Sequence, residues 1–255
     1  MSPEKTVSWP ASAQPAAHVF VEYLGDAFDL GGPDGHHLAR VLRLRPGAVV
    51  SAADGAGAWR PYEVTAVLGT GVTLEARGPS RVEPVLEPRL AVAFALTKGD
   101  KPELVVQKLT ELGADRIMPV VSERSVDRPD PARAEAAAVR WRRVALEAAR
   151  QCRRARLPEL SALAPVGVLA GHPGLVVAEP GGIEASRLGR PPHGEVLLVV
   201  GPEGGFSPAE VDGLRPWARL GLGPRILRAE TAAVAAAAVL SLERVAAAAD
   251  PPDGG

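Results

Sequence analysis

The spacing of apolar positions changes at about residue 89, and the change divides the chain in two. Before it, short apolar runs recur at close intervals: His18–Leu24, Ala48–Ala53, Tyr62–Leu68 and Gly71–Ala76. Gly, Pro and Asp punctuate them in GGPDG, RPG and DGAGAWR. Many short strands with such turns predict a small β-barrel. One stretch, HHLARVLRLRPG, breaks the pattern. His37, Val41 and Leu44, with Leu38 and Leu42 beside them, give a short helical apolar face, while Arg40, Arg43 and Arg45 point elsewhere. Three prolines in PSRVEPVLEP then mark a linker over 80–88.

From Arg89 onward strands alternate with helices, which predicts an α/β domain with a mainly parallel sheet. Arg89–Leu96, Arg116–Val121, Leu175–Ala178 and Val196–Val200 are apolar runs of the kind a doubly covered sheet needs, and Arg225–Leu227 reads as a last short strand. Asp100 as N-cap, Pro102 and Glu103 open a helix that runs to about Leu112 and stops at Gly113. Ser207, Pro208 and Glu210 open another in the same way. A long helix is expected over 132–155. Trp141, Val144, Ala145, Ala148, Cys152 and Ala155 share its apolar face, so Cys152 is expected in the core. An Ala-rich helix closes the pattern over 230–248. The aperiodic ends read as disordered. The expected organisation is a tail over 1–17, a β-barrel over 18–79, a linker over 80–88, an α/β domain over 89–249 and a tail over 250–255.

Composition narrows the function classes. Hydrophobic residues make up 46% and charged residues 23% of 255, so disorder of the whole chain is not expected. The N-terminus has no apolar core flanked by positive charge, and no apolar run reaches the length of a membrane span. A cytoplasmic, membrane-free protein is therefore expected. The single cysteine excludes an intrachain disulfide, and the five histidines do not pair at ligand spacing with carboxylates, so no metal is expected. A net charge of −1 argues against a generally basic nucleic-acid binder. The average hides eight Arg and two Glu between Arg133 and Arg156, a segment able to meet a polyanion. Only four of the 29 basic residues are Lys, and three of those are Lys98, Lys101 and Lys108.

Three stretches could carry chemistry. In EVLLVVGPEGGF a buried strand ends in Gly201–Pro202–Glu203–Gly204–Gly205 before a helix begins. Ligands of open α/β sheets bind beyond the carboxyl ends of strands, and glycines let backbone approach a ligand closely. In LGLGPRILRAET a turn and a strand lead to Arg228, Glu230 and Thr231 at a helix start. In LVVAEPGG a third apolar strand ends in the same style. There is no Gly-Lys-Ser/Thr after a glycine loop, no GxGxxG and no GxSxG, which leaves out the common phosphate loops and the nucleophile elbow.

GPEGGFSPAE followed by LGPRILRAETA resembles the SPOUT-superfamily RNA methyltransferases, and among them the ribosomal small-subunit methyltransferase E family. HHLARVLRLRPG, TKGDKPELVVQKLTELGADRIMPVVSERS, RWRRVALEAARQCRR and LVVAEPGG match in the family's order, covering residues 18 to about 245. The resemblance implies an α/β fold: a C-terminal SPOUT-type domain with a parallel sheet and a trefoil knot, preceded by a small PUA-like β-barrel. It implies S-adenosylmethionine as cofactor, 16S ribosomal RNA in the 30S subunit as partner, and a homodimer through the knot region. The reaction would transfer a methyl group to N3 of a specific uridine, which must be unpaired or flipped to be reached.

By the same resemblance, Ala178, Glu179, Gly201, Pro202, Glu203, Gly204, Gly205, Leu222, Gly223, Ile226, Leu227, Arg228, Thr231 and Ala232 would bind the cofactor. Glu203, Arg228 and Glu230 are candidates for the catalytic proton transfer. Arg40, Arg43, Lys98, Lys101, Arg124, Arg153 and Arg154 would meet RNA phosphates. Two positions depart from the family pattern: Ala17-His18-Val19-Phe20 replaces an Arg-Phe-Phe-like segment, and Arg150 stands where an acid is expected. The alternatives are a non-catalytic RNA-binding assembly factor on the same fold and a SPOUT methyltransferase acting on another RNA.

Overall fold

The computed structural model describes residues 15–249. Most of the expected N-terminal tail and the whole of 250–255 lie outside the described residues. The described chain divides into two compact units. One holds the residues up to Pro84 together with Ala149–Leu157; the other holds Val85–Ala148 and the residues from Pro158 on. The segment 149–157, which the sequence pattern assigned to the C-terminal domain, thus groups with the N-terminal unit.

The N-terminal unit is built on six strands: β1 (Ala17–Phe20), β2 (Ala27–Leu30), β3 (Val49–Ala53), β4 (Ala58–Leu68), β5 (Gly71–Ala76) and β6 (Arg81–Val82). They run in the order β1-β3-β4-β5-β2, with β6 on β4, and only the β1–β3 pair is parallel. Alternation along the strands sends Val19, Val50, Tyr62, Val64 and Leu74 into one core. The Tyr62 hydroxyl donates to the Gly25 carbonyl at 2.8 Å, so the polar end of this fully buried ring is satisfied. A short helix α1 (Gly32–His36) and a π-turn (His37–Val41) add Leu38 and Ala39 to that core. Val41 and Leu42, expected on the apolar face, are exposed instead, because the π-turn shifts the register of a regular helix.

In the C-terminal unit every strand pairing is parallel. β7 (Arg89–Ala95), β8 (Arg116–Val121), β9 (Glu159–Leu160), β10 (Ala164–Pro165), β11 (Leu175–Ile183), β12 (Glu195–Val200) and β13 (Ala218–Leu220) run in the order β10-β8-β7-β12-β11-β13, with β9 on β8. β7 and β12 sit in the middle, which is why their runs are apolar on both faces. On one face Leu90, Val92, Phe94 and Leu198 pack against α2 (Lys101–Glu111), α3 (Pro131–Cys152) and α5 (Ala229–Ala249). Val105, Leu109, Trp141, Ala233 and Ala237 supply the contacts. On the other face Ala91, Ala93, Leu197 and Val199 pack against Val166, Leu169 and, from α4 (Pro208–Leu214), Leu214. Truncating one of the buried leucines to alanine costs about 2–5 kcal/mol at such sites.

Buried charge fixes the amino-terminal edge of this sheet. Asp115 and Arg244 pair at 2.6 Å, with side chains only 8% and 5% exposed. Asp115 Oδ2 also accepts from the Leu90 amide at 2.8 Å, and Arg244 donates to the Gly113 carbonyl at 3.0 Å. Nearby, Glu195 Oε2 accepts from Arg116 at 3.1 Å and lies 2.9 Å from His172 Nε2. His172 Nδ1 accepts from the Gly174 amide, so Nε2 carries the proton toward Glu195.

Three local expectations are corrected. Residues 225–227 form no strand; the last strand is β13, at 218–220, where β11 offers a partner, while Ile226 is 93% exposed. Cys152 is exposed, not core: α3 ends at that residue, and Arg153 turns the chain with φ 59°. Asp100 makes no side-chain cap on α2: its backbone, at φ −89° and ψ 3°, lies outside the extended region a capping residue adopts, and the Glu103 side chain pairs with Arg140 of α3. The Ser207–Glu210 capping box on α4 forms in full.

Candidate active site

Parallel pairing aligns the strand ends. Phe94 of β7, Pro119 of β8, Val200 of β12, Ala178 of β11 and Leu220 of β13 occupy one row across the sheet. The chain beyond each therefore leaves at the same, carboxyl edge. The GPEGG loop, the segment after Ala178 and the segment after Leu220 are neighbours by topology, as is the turn after Ala95 that leads into α2.

Two glycines show how closely these segments pass. A Cβ on Gly182 would sit 2.5 Å from the Leu220 carbonyl carbon, and one on Gly221 would sit 2.3 Å from the Gly182 oxygen. Backbone meets backbone here with no space for a side chain. Glu179 is held by Arg219 at 2.7 Å, and the Gly221 amide donates to the Ile183 carbonyl at 2.8 Å.

The GPEGG loop is braced from two sides. Arg124, in the turn after β8, donates to the Gly204 and Phe206 carbonyls at 2.9 and 3.4 Å. Lys101, the first residue of α2, lies 3.2 Å from Glu203 Oε1 and 3.4 Å from Glu230 Oε1. One ammonium thus joins the loop to the start of α5. The Glu203 carboxyl is held below the usual carboxylate range, first by a backbone hydrogen bond and then by Lys101 and Arg228. The Lys101 ammonium is pushed up, mainly by its bond to Glu203. Both stay charged at neutral pH.

A recess on this edge is lined by Phe94, Ala95, Thr97, Val105, Val200, Gly201, Ala229 and Glu230. Glu230 places one oxygen on Lys101; its other oxygen, Oε2, is buried with no hydrogen-bond partner. A buried acceptor without a donor costs about 1–3 kcal/mol, and at the recess this one is available to a donor from a ligand.

The family comparisons agree with this architecture. Residues 85–241 match the RNA methyltransferase domain and residues 30–75 the RNA methyltransferase PUA domain. The chain is 34% identical over 216 residues to the ribosomal RNA small subunit methyltransferase E of Mycobacterium bovis, covering 80% of this chain and 82% of that protein. With its namesake from Bacillus subtilis it shares 31% over 233 residues, covering 85% and 90%. The chain belongs to the ribosomal RNA small subunit methyltransferase E family. A Legionella pneumophila protein, solved with the cofactor SAM bound, is 27% identical with a TM-score of 0.75, covering 91% of this chain and 98% of that one.

The structure sorts the residues that the methyltransferase E resemblance singled out. Gly201, Pro202, Glu203, Gly204, Gly205, Ala178, Glu179, Leu222, Gly223, Ile226, Leu227, Arg228, Thr231 and Ala232 all lie beyond or at the strand ends of the carboxyl edge, or on the first turn of α5. Arg40 and Arg43 are exposed in the N-terminal unit, and Lys98 is exposed in the turn before α2. Lys101 and Arg124 are occupied as braces. Arg153 donates to the Pro15 carbonyl at 2.9 Å, and Arg154 is buried, so neither presents a free guanidinium to a phosphate.

Much of the basic segment on α3 is used within the protein: Arg133 pairs with Asp127, Arg140 with Glu103, Arg142 with Glu135 and Arg150 with Asp34. The last pair answers the departure at 150, since the acid comes from α1. His18, the other departure, is no basic contact. Burial, the largest influence, lowers its pKa to about 4, with a hydrogen bond to the Arg154 backbone opposing, and its Nδ1 sits 2.7 Å from the Ser51 hydroxyl. Sequence reasoning missed Phe94, Thr97 and Val105 as recess walls and Lys101 as a brace. The concentration of lysines over 98–108 was the one signal that pointed there.

Among the described residues no group of three His, Cys, Asp or Glu could hold a metal ion, and no helix is long and apolar enough to cross a membrane.

Proposed function

We propose that this chain methylates N3 of a uridine in 16S ribosomal RNA, at position 1498, using S-adenosylmethionine. The observation that carries the reading is the single carboxyl edge where GPEGG, the Gly182–Gly221 crossing and the RAET start of α5 meet, in a chain of the methyltransferase E family. The Legionella protein solved with SAM supports the choice of cofactor.

The residues fit such a ligand. Phe94, Val105 and Val200 give the recess apolar walls. The Glu230 carboxylate stands at the recess with its second oxygen unpartnered. Backbone groups of 201–205, with Ala178, Glu179, Leu222, Gly223, Ile226, Leu227, Arg228, Thr231 and Ala232, would hold it. When bound, it supplies a methyl group activated by a positively charged sulfur.

The chain's own charges divide the remaining work. N3 of uracil must lose its proton as it becomes a nucleophile, so negative charge develops there. The Arg228 guanidinium stabilises that charge. Glu203 is fixed as an anion by its backbone bond and Lys101. Glu230, with one oxygen held and the other open, is the carboxylate left to accept a proton.

Arg40, Arg43 and Lys98 position the RNA by its phosphates. Strands β1–β5 are read as the wall of a PUA-like barrel over 18–79, with 80–88 as a linker that adds β6 to β4, and the Gly182–Gly221 approach supports a trefoil-knot crossing within 89–249. Exposed Ile226, Leu242 and Val245 support pairing with a second copy through the knot region. The protein acts in the cytoplasm on the 30S subunit.

Incubation with 30S subunits lacking the modification and methyl-labelled S-adenosylmethionine, followed by nucleoside mass spectrometry, tests the reading. Label in 3-methyluridine at the one expected position supports it. Label in another nucleotide points to a different RNA target. Cofactor binding without any transfer points to a non-catalytic assembly factor.

A further inference from the structure

We propose that Lys101 is a positioning residue for the pocket: its ammonium holds the 201–206 loop against the start of α5 and so sets the shape of the cofactor site. What the pocket binds rests on the reading above; the clasp itself does not.

Three observations converge. The first is geometric. Lys101 is within 3.4 Å of carboxylates from two segments far apart in sequence, Glu203 and Glu230. Each stands in one of the two stretches that form the walls of the carboxyl edge. The second is that Lys101 opens α2. A cation at a helix N-terminus faces the positive end of the macrodipole and is disfavoured there. The carboxylates paired with Lys101 come from the loop and from α5, while Glu103 in the helix's own first turn pairs with Arg140. The third is chemical. Arg outnumbers Lys heavily in this chain, yet Lys stands here. A compact ammonium on a flexible stem can sit between two carboxylates that a planar fork would force into its own geometry.

Lys101 also governs what Glu230 can do. It occupies Glu230 Oε1 and leaves Oε2 open in the recess. Removing the ammonium would leave Glu203 and Glu230 as two neighbouring anions with no shared cation. The loop would then lose its link to α5 and keep only its brace from Arg124.

The test compares wild type, Lys101→Met and Lys101→Arg in the full chain. Two readouts are taken: hydrogen exchange of the 201–206 amides without ligand, and S-adenosylmethionine affinity by calorimetry. Lys101→Met should speed exchange in the loop and weaken cofactor affinity, each by roughly fivefold to tenfold, the scale of coupling between groups in direct contact. Lys101→Arg should restore the charge but only part of either effect. Affinity for a 16S RNA fragment should stay as in wild type. The proposal is overturned if Lys101→Met leaves loop exchange unchanged, and a rise in KM for RNA alone would return Lys101 to a phosphate contact. If wild type binds no S-adenosylmethionine but the loop exchanges faster in Lys101→Met, the clasp stands and the cofactor reading fails.

Discussion

The two edges of the C-terminal sheet use polar residues in opposite ways. At the amino edge Asp115 and Arg244 are buried and satisfy each other, the Leu90 amide and the Gly113 carbonyl. His172, Glu195 and Arg116 close a second network there. At the carboxyl edge Lys101 and Glu203 are partly exposed, the GPEGG loop is held by side chains from other segments, and Glu230 keeps an oxygen without a donor. One helix, α5, touches both edges, through Glu230 in its first turn and Arg244 near its far end. The contrast lies in how charge is held: at the amino edge a buried ion pair closes on itself and leaves the guanidinium Nε atoms of Arg116 and Arg244 unpartnered, while at the carboxyl edge a carboxylate oxygen is left without a donor.

That contrast can be broken most forcefully at the amino edge. Arg244→Ala leaves Asp115 charged and buried without its partner, and unfolding free energy should fall by about 3–5 kcal/mol. Urea denaturation measures it. Replacing both partners with apolar residues should cost clearly less, because no charge is stranded. A loss below about 1 kcal/mol for Arg244→Ala would deny the amino edge its structural role.

The N-terminal unit buries a polar group of its own in His18, whose Nδ1 meets Ser51. Its folded pKa of about 4 lies below the unfolded value of 6.5, so the unfolded chain binds a proton first as pH falls. The contribution is fully present above pH 6.5 and is lost between 6.5 and about 4. It amounts to about 3 kcal/mol. Stability measured across that window in wild type and His18→Gln should show a shallower pH dependence in the variant.

A smaller effect is expected at the Gly182–Gly221 crossing. Gly221→Ala forces a methyl group against the Gly182 carbonyl and should cost about 1–3 kcal/mol by thermal denaturation. Gly204→Ala should be nearly silent in the same assay, because its Cβ would meet only Arg124 at 3.6 Å. The pair distinguishes a glycine required by packing from one kept for what lies in front of it.

The sequence made some of this legible and hid the rest for physical reasons. Apolar runs at 89–96, 116–121 and 196–200 announced central strands because a sheet covered on both faces admits little else. The three glycine-rich strand ends were visible as motifs, and the parallel order of the sheet explains why they belong together. β13 was misplaced because a three-residue strand is defined by its neighbour, not by its own pattern; Leu220 has Ala178 beside it and Ile226 has no strand. Cys152 fitted the helical period, but the helix stops there, and a period says nothing about where the chain turns. The Lys101 clasp joins residues 102 positions apart, a relation only the fold creates. The Arg-rich run suggested a polyanion surface because net charge does not reveal partners such as Asp34, which arrive from distant segments.

The central claim is that the carboxyl edge is a cofactor site, and calorimetry of S-adenosylmethionine binding to wild type, Gly204→Trp and Lys98→Ala tests it most directly. Gly204 has no positive φ, and a Cβ there meets Arg124 side-chain atoms at an ordinary 3.6 Å, so a bulky residue enlarges the loop without straining its backbone. The account predicts saturable binding to wild type, loss of binding in Gly204→Trp with unchanged thermal stability, and wild-type affinity in Lys98→Ala. Undiminished binding in Gly204→Trp would contradict it, because the cofactor would then lie elsewhere.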